Sequence, residues 1–393
     1  MSELTLLTIG FSTYTLARGA MWMKAIIIHP HLDVKGGSER LTKILCESLL
    51  GMGIDIRVIT ARISDWFDPI HSKIAYLKTE DRSAEVVAKV IAEVSQSFNP
   101  DFIVNMLQEP FFCYAAKQGS NKPCVMYIHF PIDEEIEEKN LDSYFQHYRY
   151  PHLSFQNLSY VDAIAVNSKR TGLATWFIWG VEPEVAYPSI DSIFFSSEIP
   201  EKRDTKTVLY VGRFVALKRQ DFLLSAFERV KREVPEAKLV ITGFVDPRHR
   251  DYYEHVREVY ESLQDKLKDI ELVPNPDDRT LLELYREAKV YTHPRVGEHF
   301  GMAPVEAMSQ LTPVVIRAPT GLAEVMTHGV EGFVAKSDTE LIDYTIKVLK
   351  MDRDEWSKMG RAGYRLAQRF KPEAFGKRIL EIVTSIRKRG NRA

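Results

Sequence analysis

The 393 residues are enough for two or three domains. A hydrophobic content of 45% with 27% charged residues is that of an ordinary globular protein, and a net charge of −2 supplies no basic field for nucleic acid. Three cysteines (Cys46, Cys113, Cys124) form neither a CxxC pair nor a metal-binding spacing. They read as small buried thiols in a reducing compartment.

No run of about 18 apolar residues marks a membrane span. Residues 1–23 read as an N-terminal extension. Leu4 to Ile9 are mildly apolar, but the only early charge is Glu3, so the basic start of a signal peptide is missing. A cytoplasmic location is expected.

The first buried strand is Lys24-Ala-Ile-Ile-Ile28, by its run of β-branched residues. After His29-Pro-His31 come Gly36 and Gly37 and an amphipathic helix to about Leu50. Strand, glycine turn and helix is the phosphate cradle of a doubly wound sheet. The GxGxxG dinucleotide fingerprint is absent, and a plain tight turn capped by Ser38 is the competing reading. Strands follow at Ile54 to Ile59, Asp101 to Val104 and Pro123 to Ile128, with a helix over Ala84 to Phe98. The last of these strands runs into His129-Phe-Pro131. A polar residue at the carboxyl end of a buried parallel strand is where open α/β sheets bind ligands, which makes His129 a site candidate.

Asp133 to Glu138 read as a solvated acidic stretch, and Tyr144 to Tyr160 is rich in aromatics and histidine. Ala163 to Val166 is a strand, and Asn167 to Thr171 opens a helix ending in Trp176-Phe-Ile-Trp179. Exposed, such an aromatic patch would suit a lipid surface. Polar, proline-marked residues 196–205 read as a linker.

The second half repeats the rhythm. Strands are expected at Thr207 to Val211, Ala237 to Ile241, Ile270 to Val273, Val290 to His293, Pro313 to Ile316 and Gly332 to Ala335. Helices are expected from near Lys218 to Glu233, over Asp278 to Ala288, and from Asp338 to the end with a break at Lys371-Pro372. The strand ends carry Arg213, Gly243, Pro274 and Glu298. Arg213 and Lys218 are two cations beside one strand end and before a helix whose dipole they oppose, which favours phosphate binding over a solvated helix start.

The centre of the chain is Glu298-His-Phe-Gly-Met-Ala-Pro-Val-Glu306. It reads as strand, loop and helix N-terminus, with Pro304 at the first helical position. Backbone N–H groups of residues near Gly301 to Val305 form an anion site. Carboxylates accept from hydroxyls, so Glu298 suits a sugar and Glu306 a ribose, with phosphate between them. Taken singly, each acid has a plainer reading, as a solvated loop carboxylate or a dipole-favoured helix residue. Together they ask for a nucleotide sugar.

These residues resemble retaining glycosyltransferases of the GT-B fold, glycosyltransferase family four or glycosyl transferases group 1, which includes sucrose synthase. The resemblance runs from Lys24 through nearly the whole chain. It rests on Glu298…Glu306, Gly212-Arg213 with Lys218, Gly36-Gly37-Ser-Glu39 and His129. Tyr127-Ile-His-Phe-Pro131, Val166-Asn-Ser168, Tyr187-Pro188 and Glu298-His-Phe-Gly301 are most similar to the dolichol-linked oligosaccharide mannosyltransferases. One departure is Ala318-Pro-Thr-Gly-Leu322, with one glycine where many relatives carry two.

The resemblance implies an α/β chain with two doubly wound Rossmann-like domains facing across a cleft. An acceptor domain would span 24–195 and a nucleotide-sugar domain 196–370, and a terminal helix, 371–393, would pack back on the first. It implies catalytic roles for His129, Glu298, Arg213 and Lys218. Donor binding would fall to Gly36, Gly37, Arg213, Lys218, Gly243, Pro274, Glu298, Phe300, Gly301, Met302, Ala303 and Glu306. No Asp-x-Asp occupies the cleft positions, so neither metal nor other cofactor is expected. The implied substrates are a nucleotide-sugar donor such as GDP-mannose and a glycan or polyprenyl-linked acceptor. Peripheral contact with the cytoplasmic membrane face is the further expectation, from the tryptophan patch and the basic tail (Arg387 to Arg389, Arg392). The alternatives are an acceptor-independent sugar-nucleotide epimerase, a phosphorylase with lysine-bound pyridoxal phosphate, and a catalytically silent sugar-nucleotide binder.

Overall fold

The computed structural model describes residues 23–67, 70–76, 84–131, 157–195 and 205–390. The acidic stretch 133–138, most of the aromatic segment after Tyr144, nearly all of the linker and Arg392 lie outside these residues. Two parallel sheets organise the chain. The first has seven strands in the order Ile74–Tyr76, Asp55–Thr60, Lys24–Ile28, Phe102–Asn105, Cys124–Ile128, Ala163–Val166, Glu184–Val185. The second has six, in the order Ile270–Pro274, Lys238–Gly243, Thr207–Val211, Val290–His293, Val314–Arg317, Gly332–Ala335.

The central strands are largely apolar because helices cover both faces of each sheet. Lys24–Ile28 shows this: Ala25 and Ile27 enter one core, Ile26 and Ile28 the other. The first of those cores also takes Phe375, Ile379, Ile382 and Val383 from the last helix, Pro372–Gly390. That helix therefore crosses from the second sheet to pack against helix Gly37–Gly51, where Gly376 lies beside Ser48.

In each sheet the chain winds outward in both directions from its first strand. The switch point lies between Lys24–Ile28 and Phe102–Asn105 in the first sheet, and between Thr207–Val211 and Val290–His293 in the second. Connections leave a switch point on opposite faces and open a crevice at the strand carboxyl ends. The loops at these two crevices are 29–36, 105–109, 212–218 and 294–301. They contain Gly36, Arg213, Lys218 and Glu298.

Several expectations need correction. Cys113 and Cys124 form a disulfide with Cα atoms 5.8 Å apart, so only Cys46 is a free thiol. Helix Pro110–Gly119 folds back along strand Cys124–Ile128 and brings the two together, a pairing invisible without that helix. Helix Gly37–Gly51 is capped by Gly36 without a side-chain bond, and the Ser38 hydroxyl donates instead to Glu39. The C-terminal helical run breaks also at Met351-Asp352, where Asp352 caps Arg353–Ala367.

Candidate active site

Helix Met302–Ser309 starts earlier than its proline implies. Gly301 adopts φ +99°, a left-handed value that suits glycine, and begins the helix at Met302. Pro304 is thus the third helical residue, not the first. Glu306 is the fifth, two residues deeper than the first-turn position expected. Met302 and Ala303 keep the N–H groups that a helix start leaves without intrahelical partners. Gly37 of the first unit lies 3.9 Å, as its would-be Cβ, from the Met302 sulfur, so the glycine turn and the helix start face each other across the cleft.

Glu298 is the hub. It is 7% exposed, and its Oε2 lies 2.5 Å from Lys218 Nζ and 2.9 Å from His293 Nε2. Its Oε1 lies 3.8 Å from Arg295 Nη1. Burial acts to raise this carboxyl, but Lys218, Arg295 and His293 outweigh burial and hold it well below the usual carboxylate range. Glu298 is therefore an ionised acceptor at neutral pH.

Backbone bonds fix its loop. Gly297 donates to the Pro319 carbonyl, Gly321 to that of Glu298 and Leu322 to that of Phe300, each at 3.0 Å. The stretch with one glycine is thus the clamp on this loop. A Cβ on Gly321 would lie 2.1 Å from the His299 carbonyl and 2.6 Å from Ser168 Cβ of the first unit, so the remaining glycine occupies a three-way crossing.

Glu306 is 6% exposed and accepts from the Tyr285 hydroxyl at 2.6 Å. Burial raises its carboxyl, while Arg40 of the first unit and the Tyr285 bond oppose the rise. Arg40 reaches across to Asp278 at 3.0 Å.

Arg213 is more exposed than Lys218. It leans on Asp246 at 3.3 Å, and the same carboxylate is gripped by Arg248 at 2.7 Å. Asp246 is 1% exposed and was not found from the sequence. Gly243 serves the fold directly: a Cβ there would sit 1.9 Å from the Gly212 carbonyl. Pro274, its ladder partner, is exposed at the strand end. The Phe300 ring is buried against Tyr187 and Phe370.

His129 stands across from this hub on the first unit. Its Nε2 lies 3.1 Å from the Met106 carbonyl. Burial lowers its pKa to about 4, so the ring is neutral, donates through Nε2–H and keeps Nδ1 as an acceptor. Next to it, the Phe130 ring approaches His299 at 5.7 Å. Glu324 of the second unit accepts from the backbone N–H groups of Lys169 and Arg170, at 2.8 and 2.6 Å, and from the Tyr187 hydroxyl at 3.1 Å. A carboxylate at that helix N-terminus complements its dipole and holds the two units face to face.

The structure thus brings together Lys218, Glu298, the helix start at Gly301 to Ala303, and Gly37. Glu306 belongs to a neighbouring cluster with Tyr285 and Arg40. His293 went unremarked as a site residue, although the strand-end rule that picked out His129 applies to it equally.

Comparison with known proteins fits this geometry. Residues 190–366 match the sequence model described as glycosyl transferases group 1. Alpha-1,3/1,6-mannosyltransferase ALG2 of Homo sapiens is 25% identical over 405 aligned residues, covering 92% of this chain and 95% of that protein. The solved structure of a glycosyltransferase from Rickettsia africae superposes with a TM-score of 0.73 at 18% identity, covering 94% of this chain and 99% of that one. Anabaena HepE in complex with UDP and glucose gives a TM-score of 0.72 at 18% identity, over 92% and 100% of the two chains. The fold shared with these structures is GT-B, two Rossmann-like domains across a cleft.

Proposed function

We propose that this chain, a GT-B glycosyltransferase whose residues 190–366 form a glycosyl transferases group 1 domain, transfers mannose from GDP-mannose to a lipid-linked glycan with retention of configuration. The observation that carries the reading is the Lys218–Glu298 pair at the switch point of the second sheet, beside the helix start at Met302. A sugar diphosphate laid along that crevice meets acids for its hydroxyls and cations for its phosphates. The full-length similarity to a mannosyltransferase supports mannose as the sugar.

The chemistry follows from charge. When the glycosidic bond breaks, negative charge grows on the diphosphate and positive charge on the anomeric carbon. Lys218, Arg213 and the N–H groups of Met302 and Ala303 stabilise the first without a metal. Glu298 grips the sugar hydroxyls and stabilises the second. The acceptor hydroxyl attacks from the face the diphosphate leaves, and its proton passes to the departing phosphate oxygen. His129 approaches the sugar from the other domain as a neutral acceptor. Closure of the two domains excludes water and suppresses hydrolysis.

The test is release of GDP from GDP-mannose with and without a polyprenyl-diphosphate glycan. Release that depends on the acceptor, with mannose appearing on it, is the expected result. Conversion of the donor with no acceptor present would replace this reading with an epimerase.

The acceptor's lipid calls for a membrane surface. No helix among the described residues is long and apolar enough to cross one. Helix Lys169–Trp179 does present Leu173, Trp176 and Phe177 to solvent at 67, 53 and 84% exposure. Trp179 is buried in the core. In the basic tail, Arg387 bonds the Asp101 carbonyl and Arg389 approaches Glu184, so part of its charge is already engaged. Sedimentation with anionic liposomes is therefore expected to persist in high salt and to fall at least about fivefold in Trp176→Ser/Phe177→Ser. Loss of binding by salt alone would give the role to the tail.

A further inference from the structure

One buried histidine at the floor of the cleft has no part in the reaction described so far. His293 ends strand Val290–His293 and is 2% exposed. Its side chain shares a face with Tyr291, two residues earlier on the strand, and the rings stack with centroids 6.0 Å apart. Nε2 lies 2.9 Å from Glu298 Oε2, and Nδ1 lies 3.1 Å from the Tyr291 hydroxyl. That hydroxyl donates its one proton to the Val211 carbonyl at 2.9 Å, on the neighbouring strand.

Proton accounting fixes the roles. Burial lowers the pKa of His293, so the ring is neutral and carries one N–H. Ionised Glu298 can only accept. The proton is therefore on Nε2, which faces Glu298. Glu298 Oε2 is then taken by Nε2–H and by the Lys218 ammonium. Oε1, whose Arg295 neighbour stands at 3.8 Å, beyond hydrogen-bond length, is the oxygen turned to a hexose hydroxyl.

We propose that His293 is a positioning residue, which holds Glu298 through Nε2–H so that Oε1 faces the transferred sugar, with the Tyr291 ring stacked beside it. A strand residue supplies this orientation more rigidly than the loop that carries Glu298. The proposal rests on the reading of Glu298 as the residue that grips the sugar.

Its test is a double-mutant cycle with Glu298→Gln, in which kcat and KM for the sugar nucleotide are measured beside the Kd of free GDP. His293→Leu keeps the packing volume and removes the donor. It is expected to lower kcat about thirtyfold while GDP affinity stays within about twofold. His293→Gln returns an N–H at the same reach and is expected to recover most of that loss. In the Glu298→Gln background, His293→Leu is expected to cost nothing more.

Equal losses in His293→Leu and His293→Gln, or losses that add to that of Glu298→Gln, overturn the proposal and leave His293 a packing residue. So does a His293→Leu enzyme as fast as wild type while Glu298→Gln is impaired. A fully active Glu298→Gln enzyme overturns the underlying reading of Glu298 instead.

Discussion

Glu298→Gln is expected to lower kcat for sugar transfer by about two to three orders of magnitude, roughly 3–4 kcal/mol of transition-state stabilisation. Glutamine keeps the volume and one carbonyl oxygen, so the change removes charge more than shape. Charge matters here because the site is buried, and a carboxylate beside an anomeric carbon gains most as that carbon becomes positive. Affinity for free GDP should hold or rise, since Lys218 loses the partner that competes with phosphate for its ammonium. A kcat within about tenfold of wild type, roughly 1.4 kcal/mol, would remove Glu298 from the chemistry.

The same substitution has an acid-stability signature. Glu298 is held well below its ordinary 4.5 in the folded protein, so between the two values the unfolded chain binds more protons. Its contribution to stability is complete above about pH 4.5 and is lost as pH falls through the folded value. Denaturation of Glu298→Gln should therefore show a flatter acid limb below that pH than wild type.

Much of this hub could be read from the chain, and some of it could not. Glu298 and Glu306 stood out because a strand, a glycine and a proline frame them. The strands themselves were legible because parallel strands with both faces buried are unbroken apolar runs: Lys24–Ile28, Thr207–Val211, Val290–His293 and Gly332–Ala335 lie where their residues put them. Helices Pro110–Gly119 and Arg250–Leu267 were missed. The first opens with Pro-Phe-Phe-Cys-Tyr and shows no clean apolar stripe. The second is dominated by charge, and only Val256 and Leu267 are buried.

What links Lys218 to Glu298 is 80 residues of intervening chain and a strand order. The sequence lists the strand ends, but adjacency at a switch point depends on which strands neighbour in the sheet. Asp246 was hidden for a related reason. It lies past its strand end, and its importance comes from the guanidinium groups that converge on it.

Lys218→Ala should cost transfer about as much as Glu298→Gln, by a different route. Lys218 sits in the turn Ala216–Lys218, just before Arg219 takes a left-handed conformation and starts the next helix. Its ammonium is within hydrogen-bond distance of Glu298 before any ligand arrives, so donor binding recruits a cation already held at the cleft floor. Removing it leaves the departing diphosphate with Arg213 and the helix start. Arg213 is a weak substitute, because its side chain is 39% exposed and already leans on Asp246. Arg213→Ala is accordingly expected to cost about tenfold, and Lys218→Ala about a hundredfold or more.

Lys218→Arg should recover only part of the loss, since a planar guanidinium does not occupy the space of a compact ammonium wedged against Glu298. The affinity for free GDP supplies the deciding contrast. It should fall in Lys218→Ala and hold or rise in Glu298→Gln. If both variants weaken GDP equally, the pair is a structural salt bridge that props the cleft open, and the division of labour between cation and carboxylate fails.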